Sequence, residues 1–226
     1  MNHKTMKMLK AFAFAAIAFV SAGFFTACDD EIDEQNRFTF KGELISTYLE
    51  NNPERFSSFT NILSKAKLGK KSSGSILKTL STYGSYTCFA PTNEAVEAFL
   101  QNQYEMYLQG DRTGIHSPYL EDLTDSMATE IAKNHIIEMG YLTTDIYEGA
   151  FPLSTMNRRV TTVEWITDEA GRVFPLLNNS ALIVEQDLEM ENGYVQVVDG
   201  VLNPSNKLLP ELIEAHKAFS MFSEAI

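Results

Sequence analysis

The chain has 226 residues, 44% hydrophobic and 11% aromatic, enough for one domain of ordinary size with a substantial core and extensions. Its 30 acidic and 18 basic residues give a net charge of −12. That balance leaves no surplus of Lys and Arg to neutralise phosphates, and nucleic acid is excluded as an expected partner.

In chain order the first signal is an address. Lys4, Lys7 and Lys10 precede an apolar run from Ala11 to Phe25. At 1.5 Å per residue the run reaches ~22 Å, short of a hydrocarbon core of ~30 Å. Residues 1–27 therefore read as a signal peptide, with small residues before the cleavage point. Phe25-Thr26-Ala27-Cys28 resembles a bacterial lipobox, which implies that Cys28 is lipidated, becomes the first mature residue and ties the chain to a membrane. Cleavage would remove three lysines and no acidic residue, taking the net charge from −12 to −15. Residues 28–41 read as an acidic tether that opens with Asp29-Asp30-Glu31-Ile32-Asp33-Glu34. Acids directly after the lipid cysteine resemble the export signal of surface lipoproteins in the Bacteroidetes, implying an outer-membrane, cell-surface location. With Cys28 acylated, Cys88 is the one remaining thiol, which excludes an intramolecular disulfide and leaves Cys88 as a small buried hydrophobe.

From Gly42 to Leu49 a helix is expected, closed before Pro53, with Leu44, Ile45, Tyr48 and Leu49 on one face. Phe56, Phe59, Ile62, Leu63 and Ala66 recur at three and four residues, the pattern of a helix with one buried stripe. Gly69 to Gly74 reads as a loop and Ile76, Leu77 and Leu80 as a short helix ended by Gly84. Tyr86 to Ala90 is a buried strand that Pro91, lacking an N–H, brings to an end. Thr92 is then placed to cap a helix, with Glu94 and Glu97 where its dipole favours negative charge. Val96, Phe99 and Leu100 continue a buried stripe. From Gln101 to Tyr119 the pattern degrades into turn chemistry, a surface excursion of the kind that carries binding sites. Leu123, Met127, Ile131 and His135 restore a helical face. The period then shortens to two, with strands expected at Arg159 to Trp165, Arg172 to Leu177, Ala181 to Val184 and Tyr194 to Val198. Asn178-Asn179-Ser180 and Glu191-Asn192-Gly193 supply turns. The class is α+β, helices followed by an antiparallel sheet.

Two stretches stand out, Phe89-Ala90-Pro91-Thr92-Asn93-Glu94-Ala95-Val96 and Asn192-Gly193-Tyr194-Val195-Gln196-Val197-Val198-Asp199-Gly200-Val201-Leu202. In order and at domain-scale separation, they resemble the two signature boxes of the fasciclin (FAS1) family. The resemblance implies a fasciclin domain over residues 42–205, an antiparallel β-sandwich-like wedge flanked by helices. It implies motif roles, expected to be structural, for Phe89, Ala90, Pro91, Thr92, Asn93, His135, Asn192, Gly193, Val197, Asp199 and Gly200. Asn134-His135 lies where the family carries a Tyr-His motif linked in animal relatives to integrin binding, and here Asn134 stands in place of the tyrosine. Phe219-Ser220-Met221-Phe222-Ser223-Glu224-Ala225-Ile226 repeats the pattern of Phe56 to Leu63, so residues 206–226 are expected to hold a linker and the start of a second fasciclin domain.

No residue set announces catalysis. His135 sits on an apolar helical face, where a histidine is most often a satisfied core residue, and His3, His116 and His216 are scattered. There is no HExxH, HxxxH or cysteine partner for zinc, no GxSxG elbow, no P-loop and no GxGxxG, so no metal or cofactor is expected. Glu94 with Glu97, and Glu121 with Asp122 and Asp125, fit as helix-start charges, and Asp199 fits as a turn-ordering residue. Asp125-Ser126-Met127 resembles the acceptor motif for O-glycosylation in Bacteroidetes envelope proteins, with Ser126 as the acceptor. The expected function is a lipid-anchored, non-catalytic adhesion or binding module for a surface protein or glycan. The alternative is an accessory lipoprotein subunit of an outer-membrane complex for nutrient uptake.

Overall fold

The computed structural model describes residues 42–69, 74–111 and 115–202. The expected signal peptide, Cys28, the expected acidic tether and the Phe219 repeat lie outside the described residues. Helix α1 spans Ile45–Asn51 and α2 spans Pro53–Lys65. Pro53 occupies the first turn of α2, where a missing N–H has no intrahelical partner to lose. Phe56, Phe59, Ile62 and Leu63 are buried as their spacing requires, and Ala66 at the C-cap is buried with them. A short helix, α3 (Ile76–Thr79), is capped by Ser75, whose hydroxyl accepts the Lys78 N–H at 3.2 Å. Strand β1 (Tyr86–Pro91) runs straight into α4 (Asn93–Leu108), and the Thr92 hydroxyl accepts the Ala95 N–H at 3.2 Å. Helix α5 (Asp125–Asn134) is capped in the same way by Thr124. Among the described residues no helix is long and apolar enough to cross a membrane.

Helix α4 corrects one expectation. It continues through Gln101 to Leu108, where the apolar pattern fails and a surface excursion is expected. Gln, Glu, Met and Leu are strong helix formers, so propensity and the capped start carry the helix beyond its buried stripe at Ala95, Val96 and Leu100. The turn chemistry begins only after that, at Gly110, whose φ is +100°.

The strands β2 (Ile136–Ile137), β3 (Gly149–Ala150), β4 (Thr162–Thr167), β5 (Val173–Leu177), β6 (Ala181–Met190) and β7 (Gly193–Val198) join β1 in one sheet. Its order is β2-β1-β7-β6-β5-β4-β3. The sheet is mixed: β1 and β7 pair in parallel from Tyr86↔Gly193 to Pro91↔Val198, and every other pair is antiparallel. Strand β6 runs six residues past the expected end at Val184, to Met190. Two register shifts, between Ile183 and Glu185 and between Glu185 and Leu188, break its alternation, which is why the period-two reading stops short. Asn178 and Asn179 lie in the turn expected there and take left-handed conformations, with φ of 50° and 54°.

The alternation of β1 divides the core. Cys88 and Ala90 face the helices, joining Phe56, Phe59, Leu63, Val96, Leu100, Ile131, Val195 and Val197. Phe89 faces the other way, into a smaller cluster with Ile137, Phe151, Val163, Leu177, Ile183, Val198 and Leu202. Val163 and Leu177 belong to β4 and β5 of the same sheet, so the sheet curls back over Phe89 to bury its own second face. This is how one sheet makes a sandwich-like wedge with helices on one side. The Phe89 and Phe151 rings meet edge-on at 6.1 Å, and Tyr141 meets Phe151 at 5.0 Å.

Phe89→Ala should destabilise the fold by about 3–5 kcal/mol in chemical denaturation, because it leaves a cavity where the two limbs of the sheet converge. A loss below about 1 kcal/mol would contradict this packing.

Candidate functional site

Thr92, Asn93, Asn192 and Asp199 of the two sequence boxes direct their side chains to backbone groups. Asn93 accepts the Ser58 N–H at 2.9 Å and donates to the carbonyls of Pro53 and Glu54 at 3.1 and 3.0 Å, so it grips the first turn of α2 from the first turn of α4. Asn192 is fully buried. Its Oδ1 accepts the Ile45 N–H at 3.0 Å, and its Nδ2 donates to the carbonyls of Leu80 and Thr82 at 2.8 and 3.0 Å. Its own carbonyl accepts the Tyr86 N–H at 2.9 Å. Gly193 has φ +136°, and a Cβ there would stand 1.9 Å from the Tyr86 carbonyl oxygen. Asp199 accepts the Leu182 N–H at 2.7 Å through Oδ1 and returns its own N–H to the Leu182 carbonyl at 3.1 Å. At Gly200 a Cβ would meet the Ser180 carbonyl oxygen at 2.5 Å. Phe89, Ala90, Pro91 and Val197 fill strand positions of β1 and β7.

His135 uses all of its hydrogen-bonding groups. Its Nδ1–H donates to the Ile131 carbonyl at 2.8 Å, and its Nε2 accepts the Leu202 N–H at 2.9 Å. Its carbonyl accepts the Phe89 N–H at 2.9 Å, and the ring packs on Phe59 at 5.3 Å. Complete burial, opposed only by the Ile131 bond, pushes its pKa down to about 4 from 6.5. The ring is therefore neutral near pH 7. Burial also pushes the Cys88 thiol up to about 12, leaving it a packing residue.

Sequence reading missed a buried polar chain on the side of the sheet that carries Phe89. Gln196 accepts the Asp187 N–H at 2.8 Å and donates to Asp187 Oδ1 at 2.8 Å. Asp187 in turn accepts the N–H and hydroxyl of Thr143 at 2.7 and 2.5 Å. Thr87 donates to the Met139 carbonyl at 2.7 Å and accepts the Tyr141 N–H at 2.8 Å. Alternation alone marks Thr87 and Gln196 as polar strand positions, but their burial follows from the curl of the sheet.

The carboxylates singled out by sequence do not converge on one another. Glu94 lies in the first turn of α4, where its own backbone amide and Thr92 hold its carboxyl below the usual range. Asp122 accepts the Ser117 hydroxyl at 2.6 Å. Asp125 instead lies on the rim of a groove of about 410 Å³ that runs along α5. Lys67 Nζ meets Asp125 Oδ2 at 2.8 Å and holds its carboxyl below the usual range. The Lys67 N–H donates to Thr129 Oγ1 at 3.0 Å, and Lys133 Nζ donates to the Leu68 carbonyl at 2.9 Å. Ser126, exposed in the first turn of α5, and Glu130, one turn on, complete the helical wall. The far wall is Asn157, whose Nδ2 donates to the buried Asn134 Oδ1 at 2.9 Å. Asp125 and Ser126 were visible in the sequence as a helix-start charge and a motif, whereas Lys67, Glu130, Lys133 and Asn157 carried no signal. Among the described residues no group of three His, Cys, Asp or Glu side chains is placed to hold a metal ion.

Comparison with known proteins adds the following. The family model for the Fasciclin domain matches residues 54–204. Among solved structures, a FAS1 domain pair from the insect cell adhesion molecule fasciclin I is similar at 19% sequence identity with a TM-score of 0.48. The match covers 72% of this chain and 51% of that one, so this chain spans about half the length of that structure. No curated protein matches.

Asn192→Ala should cost about 2–4 kcal/mol in urea unfolding, since it strands the Ile45 N–H and the Leu80 carbonyl in the interior, and a cost under about 1 kcal/mol would contradict its role. His135 makes a separate, pH-dependent prediction. Its folded pKa lies below its unfolded one, so its contribution is complete above pH 6.5 and is lost as pH falls from 6.5 to about 4. The loss should reach about 3 kcal/mol at the acid end. His135→Gln keeps a donor and an acceptor but does not titrate, and its stability should fall less than that of the wild type between pH 7 and 4.5. Parallel curves for the two proteins would contradict the assignment.

Proposed function

The chain belongs to the fasciclin family, and from that premise we propose that it is a non-catalytic adhesion or binding module held at the outer face of a membrane by a lipid on Cys28. The observation that carries the reading is the use of the box residues. Thr92, Asn93, His135, Asn192 and Asp199 each bind backbone groups of neighbouring elements, so they serve as fasteners of a scaffold. Recognition then falls to the surface that this scaffold presents. The basic and apolar leader, the lipobox at Phe25 to Cys28 and the acidic residues that follow it support anchoring at an outer membrane with the domain facing outward. The ligand class is a surface protein or glycan. Ser126, exposed on α5, is accessible for O-glycosylation.

A pull-down with the mature chain against cell-surface proteins, run beside a glycan panel, tests the binding role. A saturable ligand recovered without chemical change supports it, and turnover of a bound compound or the absence of any ligand overturns it. Cys28→Ala tests the anchor. The variant should fold yet leave the membrane fraction, since each buried CH₂ of an acyl chain contributes about 0.8 kcal/mol and stable anchoring needs more than one chain. Retention of the variant in the outer-membrane fraction would defeat the proposal.

A further inference from the structure

Asn192-Gly193 is the one place in the sequence where glycine follows asparagine. In a loose chain that pair is chemically labile, because no Cβ hinders the glycine nitrogen. That nitrogen attacks the asparagine Cγ. A C–N bond forms, the Cγ–Nδ2 bond breaks, and Nδ2 leaves as ammonia with the proton that the glycine nitrogen gives up. One water then opens the cyclic imide. Addition at Cγ gives aspartate, and addition at the main-chain carbonyl carbon gives isoaspartate. Water is the only co-reactant, and nothing is oxidised or reduced.

The fold withholds each condition that the reaction needs. The attacking nitrogen belongs to the peptide between Asn192 and Gly193, and that peptide is clamped. Its carbonyl accepts the Tyr86 N–H at 2.9 Å, and Gly193 pairs with Met190 on one side and with Tyr86 on the other. Nor can Cγ swing toward the nitrogen. Oδ1 is held by the Ile45 N–H at 3.0 Å, and Nδ2 by the Leu80 and Thr82 carbonyls at 2.8 and 3.0 Å. Asn192 has no exposed surface at which water could reach an imide.

The products do not fit the place that the asparagine leaves. Aspartate has no N–H for the Leu80 and Thr82 carbonyls and sets a carboxylate oxygen against them. Isoaspartate carries the main chain through Cγ and so adds a backbone atom just before Gly193. At Gly193 the approach to β1 is so close that a Cβ would stand 1.9 Å from the Tyr86 carbonyl oxygen.

We infer that Asn192-Gly193 is a site of spontaneous deamidation that folding locks and unfolding releases, so that the β1–β7 junction also makes prolonged unfolding of this chain irreversible. This goes beyond the binding role and does not depend on any ligand. The test ages the full chain at mildly alkaline pH, in buffer and in guanidinium chloride, and follows Asn192 by peptide mass mapping and isoaspartate assay. Reaction at Asn192 should be at least about a hundredfold slower in buffer, because the folded population outweighs the open one by that factor or more. Phe89→Ala lowers overall stability from the other core cluster and should speed the reaction in buffer by about a hundredfold. Gly193→Ala, compared in denaturant alone so that folding plays no part, should slow it by about tenfold. On dilution from denaturant, the refolded fraction of the wild type should fall in step with the deamidated fraction, and Asn192→Asp should not regain the fold. Equal rates in buffer and in denaturant would overturn the inference, as would aged chains that carry the lesion yet refold as fully as fresh ones. It is likewise overturned if Phe89→Ala leaves the rate in buffer unchanged or if Asn192→Asp has wild-type stability. Isoaspartate confined to Asp199-Gly200, which isomerises without losing ammonia, would also overturn it.

Discussion

The fold depends on one buried amide. Asn192 precedes the only parallel pairing in the described sheet and ties three other elements to it: the start of α1 at Ile45, the end of α3 at Leu80 and Thr82, and the start of β1 at Tyr86. A parallel pair cannot be made by a hairpin, and β1 and β7 are joined across more than a hundred residues of intervening chain. The entropic cost of that closure must be offset by contacts at the junction itself. An asparagine provides one acceptor and two donors there. An aspartate would turn a negative oxygen toward the Leu80 and Thr82 carbonyls, and an apolar residue would leave all three groups unpaired. Gly193 completes the junction, because only a residue without Cβ lets β7 approach the Tyr86 carbonyl so closely.

From this junction the rest of the sheet follows. Phe89 is fixed in β1 three residues after Tyr86, and its ring needs cover on the side away from the helices. The cover comes from β4 and β5, which reach it only because β6 bends. Two register shifts and the positive φ of Asp187 provide the bend, and Gln196 with Thr143 satisfies the polar groups that the bend exposes to the interior. The polar chain at Gln196, Asp187 and Thr143 is thus a consequence of curling the sheet, and a fully satisfied one, as a buried network must be if it is to stabilise rather than strain the fold.

The legible parts of this structure are those governed by local rules. Phe56, Phe59, Ile62 and Leu63 announce a helix through spacing, Thr92 announces a cap, and Asn178-Asn179-Ser180 announces a turn. Helix α4 is not legible past Leu100, because a helix that leaves the core loses its apolar stripe while keeping its propensity. The second half of strand β6 is not legible, because a bulge resets the very alternation that reveals strands. The groove was illegible for a different reason. Lys67 and Asp125 are 58 residues apart, and Asn134 and Asn157 are 23 apart, so only the packing of α5 against two remote segments brings its walls together. No spacing rule reaches that far.

Three consecutive residues at the end of α5 show how the scaffold and the groove share one element. Asn134 is buried, and its Oδ1 accepts the Asn157 Nδ2–H and so holds Asn157 on the groove wall. His135 turns inward to hold Leu202 through its Nε2 lone pair and to receive the Phe89 N–H at its carbonyl. Ile136 enters β2 beside Cys88 and gives its carbonyl to Met156 in the Asn157 turn. The turn that shapes the groove is therefore fastened to the same few backbone positions that close the core over β1. The core supplies the rigidity, since Ile131, His135 and Ile136 are buried and fully bonded. The outer face of the same helix then presents Ser126, Glu130 and Lys133 in a fixed geometry without contributing to the core. Ser126 and Glu130 on that face hold no other group among the described residues, whereas Ile131 and Ala132, one position round the helix, are buried, so the core tolerates change on the first face and not on the second.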